Sequence, residues 1–168
     1  MTYPRVPQFI KSISVIAKNV RFSNPFGGKE SHFQAMLEKE IQNTNNRVLS
    51  EVIQPIHFKP ATSNNETLPY GLYGREDLTL PDKNCIIELK ATKKLSQRDF
   101  FQLFRYMTER NMSGWGLDTH GMLINFGHDD IDIWYSSYDT ESRMFRINIL
   151  KEEIPPLEHY VDTYDFVN

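Results

Sequence analysis

Cysteine is almost absent. Cys85 stands alone in 168 residues, so no internal disulfide can staple the fold, and no Cys/His spacing suggests zinc. It falls in an apolar run that reads as a buried strand, and a reducing, intracellular setting fits this usage. No apolar run approaches the ~20 residues of a membrane span, so no membrane partner is expected. The N-terminus lacks the apolar core and cleavage site of a secretory signal. No repeat, low-complexity tract or Ser-His-Asp pattern stands out, and Gly27-Gly28 is too short to cradle a phosphate. A large charge excess is missing as well: 19 Lys and Arg face 22 Asp and Glu, for a net charge of -3. Global electrostatics therefore do not advertise a nucleic-acid binder.

The charge that is present is unevenly spread. Residues 1–22 carry Arg5, Lys11, Lys18 and Arg21 and no acid. Residues 90–110 carry Lys90, Lys93, Lys94, Arg98, Arg105 and Arg110 against Asp99 and Glu109. From residue 128 onward, ten acids oppose three bases. A basic side opposite an acidic end would steer a polyanion to one face; the same charges also read as ordinary solvated helix surface. The length suits a single domain, 1–168, with a real core.

Periodicity gives an element order. A helix is expected from Lys29 to Asn43, with Phe33, Met36, Leu37 and Ile41 on one stripe. Glu40 falls in the middle of that stripe, Glu30 at its edge, and Glu38 towards solvent. A strand follows at about Val52–Lys59, then a hairpin loop at Pro60–Pro69. Asp77-Leu-Thr-Leu80 and Cys85-Ile-Ile-Glu-Leu-Lys90 read as two strands joined by the turn Pro81-Asp-Lys-Asn84. Ser96, with Asp99 three residues on, starts a helix with a capping box. Phe100, Leu103, Phe104 and Met107 form its stripe, while Gln102 and Tyr106 share another face. A Gly-rich link, Asn111–His120, leads to a buried strand, Gly121–Gly127. Two amphipathic strands, Ile131–Ser136 and Met144–Leu150, precede an acidic tail. The expectation is an α/β (α+β) fold with a mixed sheet in the order αβββαβ, plus a C-terminal β-hairpin extension.

One juxtaposition carries chemistry. Alternation puts Glu88 and Lys90 on the same strand face, away from Ile87 and Leu89. If the hairpin pairs in register, Asp77 lies beside Glu88. Two neighbouring carboxylates repel unless a proton or a cation sits between them. The economical reading is a metal site with a lysine beside it. Asn125, an amide within an apolar strand, needs partners and would brace the neighbouring site or cap a turn. Trp115 and Trp134 are available to stack on bases, although core packing explains both more simply.

Taken in order, these motifs resemble the PD-(D/E)XK nuclease superfamily. They are most similar to its GxxExxY group. Gly27-Gly-Lys-Glu30-Ser-His-Phe33 resembles the naming motif, with Phe33 in place of Tyr. Leu37 and Glu40-Ile41 resemble Leu-x-x-Glu-Leu, and Ile87-Glu-Leu-Lys-Ala91 resembles Val-Glu-Leu-Lys-Ala. Gln102-Leu103 through Tyr106 resembles the Gln-x-x-x-Tyr feature of RecB-like nucleases. Gly121-Met-Leu-Ile-Asn-Phe-Gly127 is similar to Gly-Leu-Leu-Ile-Asn-Phe-Gly. Glu76 stands where the superfamily often has proline. The resemblance covers about residues 24–127, leaving 128–168 as extra strands and tail.

That resemblance implies a restriction-endonuclease-like fold and phosphodiester hydrolysis with Mg2+ or Mn2+, on DNA ahead of RNA. Asp77, Glu88 and Glu30 would hold the metal. Lys90 would act in catalysis with Gln102, and Glu40 and Tyr106 are second candidates. Lys93, Lys94, Arg98 and Arg105 would follow a nucleic-acid backbone. Basic patches joined across a homodimer would make a channel that one chain lacks, so a homodimer stays among the open readings. The alternative is a catalytically silent module of the same fold that binds nucleic acid or a protein partner.

Overall fold

The computed structural model describes residues 6–54, 74–127 and 131–150. The expected loop at Pro60–Pro69 and the tail beyond residue 150 lie outside these ranges.

A helix not assigned from sequence comes first. Helix α1 spans Gln8–Phe22 and begins after Pro7, whose fixed φ suits a helix entrance. It buries Phe9, Ile10, Ile13, Ile16, Ala17 and Val20, a 3.6-residue stripe. The basic reading of this segment needs correction, because Arg21 is buried and its Nη1 donates to the Asn24 carbonyl at 2.6 Å. Helix α2, Glu30–Gln42, packs beside α1. Its buried positions are Phe33, Leu37 and Ile41, four residues apart. That stripe is narrower than the sequence suggested. Glu40 falls off it into solvent, lining a surface cleft with Ile16, Val20 and Met36.

Six strands form one sheet in the order β1-β2-β3-β4-β5-β6. They are β1 Leu49–Ile53, β2 Arg75–Leu80, β3 Cys85–Lys90, β4 His120–Asn125, β5 Asp132–Asp139 and β6 Met144–Ile149. Strand β1 starts three residues before the expected Val52. Strands β2 and β3 form the predicted hairpin through a 3-10 turn, Pro81–Lys83. Asn84 closes it with φ 49°, a left-handed conformation that asparagine tolerates better than most residues. Helix α3, Gln97–Arg110, begins with the predicted capping box, in which the Ser96 N–H donates to Asp99 Oδ2 at 2.8 Å. A π-helical turn, Asn111–Trp115, opens the link to β4. Strands β3 and β4 run parallel, and every other neighbouring pair is antiparallel. The C-terminal hairpin is thus the sheet's outer edge.

The helices cover opposite faces. Leu78, Leu80, Ile87, Leu89, Met122 and Ile124 pack under α1 and α2. Ile86 and Leu123 pack with Leu103, Tyr106 and Met107 of α3. Each fully buried Leu or Ile contributes roughly 1.5–3 kcal/mol, so these two apolar layers fix the strand register that the site depends on.

Candidate active site

The β2·β3 ladder stops at Leu78 opposite Ile87. The next rung would pair Asp77 with Glu88, and there side chains replace the backbone bonds. The Asp77 N–H donates to Glu88 Oε1 at 3.2 Å, and the Leu89 N–H donates to Asp77 Oδ2 at 2.8 Å. Each carboxylate is therefore held by the opposing strand. The predicted adjacency of Asp77 and Glu88 stands, and its cause is this crossed pair.

The other side of Asp77 is also irregular. The β1·β2 ladder pairs Ser50 with Leu78 and Val52 with Glu76 but omits the rung between them. Glu51, which faces Asp77 there, has φ 54°, unusual for a residue with a side chain. Gln34 of α2 spans the gap, its Nε2 donating to Glu51 Oε1 at 3.0 Å and to the Asp77 carbonyl at 3.3 Å. Neither Glu51 nor Gln34 was singled out from sequence. Gln34 lies one helical turn beyond Glu30, which was a usable signal. Glu51 gave none, because its placement depends on long-range register.

The electrostatics are those of crowded acids. Burial, followed by the charge of Asp77, raises the Glu88 carboxyl well above the ordinary carboxylate range. Asp77 is raised mainly by burial, with the Leu89 N–H and Lys90 opposing. Glu30 is the first residue of α2 and half-buried. Burial raises it, then the charge of Asp77, while Lys90 lowers it. The structure thus brings Glu30, Asp77, Glu88 and Lys90 into one electrostatic neighbourhood and leaves Glu40 outside it. Lys90 itself is 22% exposed, and its Nζ lies 3.7 Å from Asp99 Oδ1. Asp99, read from sequence only as a cap, so also faces the site.

Gln102 and Tyr106 close one side. Gln102 Nε2 donates to the Tyr106 hydroxyl at 3.0 Å, and the Arg75 N–H donates to the same oxygen at 3.2 Å. The Tyr106 ring is buried, so packing and polar contact coexist. Its phenol is raised by burial and then by the charge of Glu88. Lys90, Arg98, Gln102 and Arg105 line an open cleft of about 380 Å³ with Asp99 and Phe101. Lys93 and Lys94 are exposed in the bend after β3.

Two buried networks brace the site. Asn125 Nδ2 donates to the Thr92 carbonyl at 3.0 Å, while its Oδ1 accepts the Thr92 N–H at 3.1 Å and the Gly127 N–H at 3.0 Å. This fixes the chain two residues after Lys90, the bracing role that its apolar setting suggested. Gly127 lies so close to the Thr92 backbone that a Cβ there would collide. Glu76, next to Asp77, has no exposed side chain and takes two bonds of 2.6 Å from Arg110 of α3. Gln54 and Thr79 also donate to it. The tryptophans pack rather than wait for bases: Trp134 meets Phe100 edge-on at 5.1 Å, and Arg110 covers Trp115 at 4.5 Å.

Among the described residues, no three His, Cys, Asp or Glu side chains form a ready cage for an ion. Two preset carboxylates fit a hard divalent cation nonetheless, since Mg2+ commonly takes one or two carboxylates plus water and substrate phosphate. Mutual repulsion at Asp77 and Glu88 is the cost such a cation would remove.

No curated protein and no solved structure matches the chain. A family model for the PD-(D/E)XK nuclease superfamily matches residues 8–134, a longer stretch than the motifs marked out, taking in all of α1 and the start of β5. The mixed sheet with helices on both faces is consistent with a restriction-endonuclease-like fold. With Asp77, Glu88 and Lys90 gathered where two ladders break, the chain belongs to the PD-(D/E)XK nuclease superfamily.

Proposed function

We propose that this protein is a Mg2+- or Mn2+-dependent nuclease acting on DNA, of the GxxExxY kind, folded as a single domain. The observation that carries the reading is the crossed Asp77–Glu88 pair, with Lys90 shared between its electrostatic neighbourhood and the lining of the cationic α3 cleft.

Asp77 and Glu88 would hold the cation, with the backbone carbonyl beside Glu88 and, directly or through water, Glu30. When bound, the ion supplies electrophilic stabilisation of the phosphate. Lys90 projects from the Glu88 face and would neutralise charge building on the phosphate oxygens. Gln102, fixed by the Tyr106 hydroxyl, would orient a water or a phosphate oxygen. Arg98, Arg105, Lys93 and Lys94 would follow the backbone and set register without reading sequence.

One observation favours the silent-module alternative. The Lys90 ammonium is drawn towards Asp99, which would occupy the charge that catalysis needs. Cleavage of labelled linear, circular and single-stranded DNA, and of RNA, in Mg2+, Mn2+ or EDTA decides between them. The nuclease reading expects metal-dependent cleavage, lost in Glu88→Ala and in Lys90→Ala, with metal affinity falling only in the former. Absence of cleavage together with calorimetric absence of metal binding favours the silent module.

A further inference from the structure

Phe101 stands out on α3. It is 65% exposed, while its neighbour Phe100 packs onto Trp134. Arg98, Phe101, Gln102 and Arg105 are spaced i, i+3, i+4 and i+7, so they share one helix face. The same four residues, with Lys90 and Asp99, line the open cleft beside the carboxylate pair. A single exposed aromatic is ordinary on a protein surface; what sets Phe101 apart is that it lines this cleft together with three cations, Lys90, Arg98 and Arg105.

We propose that Phe101 is a base-stacking residue, so that the cleft takes nucleic acid with unpaired bases, a single strand or a frayed end, ahead of intact duplex. The inference rests on the nuclease reading for the identity of the polyanion. It adds the strandedness. Arg98 and Arg105 are placed one turn to either side of Phe101, spaced to take phosphates while the ring takes the intervening base. Aromatic stacking with flanking cations is the shared chemistry of single-strand grooves, and it tolerates any base. Bases inside an intact duplex have both faces covered by their neighbours, so the ring finds a partner only where pairing is lost. Gln102, adjacent on the same face and tied to Tyr106 Oη, lines the same cleft beside the stacked nucleotide.

The test is fluorescence anisotropy with a labelled single-stranded oligonucleotide and its duplex, in Ca2+ to hold off turnover, for wild type, Phe101→Ala and Phe101→Trp. The expected result is a single-strand-over-duplex preference that falls roughly tenfold in Phe101→Ala and is kept by Phe101→Trp. A 2-aminopurine in the bound strand should be quenched by wild type and less so by Phe101→Ala. An unchanged preference in folded Phe101→Ala overturns the proposal. So does a wild-type dimer that Phe101→Ala converts to monomer without touching the preference, since the ring would then serve self-association. Failure of the nuclease reading looks different: Glu88→Ala leaves cleavage intact, or there is none to lose, while strand binding still depends on Phe101.

Discussion

At the residue scale, Glu88 carries a heavy electrostatic cost. It is buried beside another carboxylate, and its own carboxyl is raised by both facts. A raised carboxylate stabilises the fold below its unfolded-state value and loses that contribution as pH rises through the folded value. Without metal, the fold is therefore penalised near neutrality. Glu88→Gln keeps an oxygen for the Asp77 N–H and adds a donor for Asp77. In thermal melts at pH 8 in EDTA it should raise Tm by on the order of 2–4 °C, about 1 kcal/mol for a chain of this size. The gain should vanish towards pH 4, and millimolar Mg2+ or Mn2+ should raise Tm in wild type only. Such a group was legible from sequence because an acid inside an apolar strand violates the burial rule. Glu40 was misread by the same rule. A 100° wheel places it on the stripe of α2, but packing against α1 and the sheet selects only Phe33, Leu37 and Ile41.

Among the elements, β2 and α3 are bolted together by Glu76 and Arg110, two bonds of 2.6 Å with a fully enclosed carboxylate. Removing one partner strands the other, at a cost of about 3–5 kcal/mol. Arg110→Met should lose roughly that in urea unfolding, and Glu76→Met/Arg110→Met should lose clearly less. Helices with capping signals and strands with clean alternation were legible: the capping box of α3, the β2–β3 hairpin and the β5–β6 hairpin fell where local rules put them. Helix α1 was missed although Phe9, Ile10, Ile13, Ile16, Ala17 and Val20 carried the period. It lacks a side-chain N-cap, so no capping signal marks its start. Glu51 was beyond reach, since only the β1·β2 register brings it to Asp77, whereas Gln34 was hinted at by its place one helical turn beyond Glu30.

For the whole molecule, the acids of the site are balanced by a different titration at the far end of the β3–β4 pair. His120 opens β4, with Nδ1 2.8 Å from the Tyr135 hydroxyl and Nε2 3.4 Å from Asp118. Burial pulls its pKa below that of an ordinary histidine, with Asp118 opposing. A lowered imidazole leaves stability intact above its unfolded value and costs stability as pH falls from there through the folded value. Unfolding midpoints should therefore drop below about pH 6.5, and a His120→Gln variant should flatten that drop. The parallel seam between β3 and β4 has a consequence of another kind. Strands β1 to β3 and β4 to β6 are two sets of neighbouring strands, two meanders in sheet order, and the β3·β4 pairing, which joins them, closes a loop through α3. Loop-closing contacts come late, because their entropy is lost before their bonds are gained. Asp77, Glu88 and Lys90 ride on the first meander, Gln102 and Tyr106 on the crossover, and the Asn125 brace on the second. A nascent chain with only the first meander formed holds the acids without their supports, so competence would arrive in one late step with the closing of the sheet.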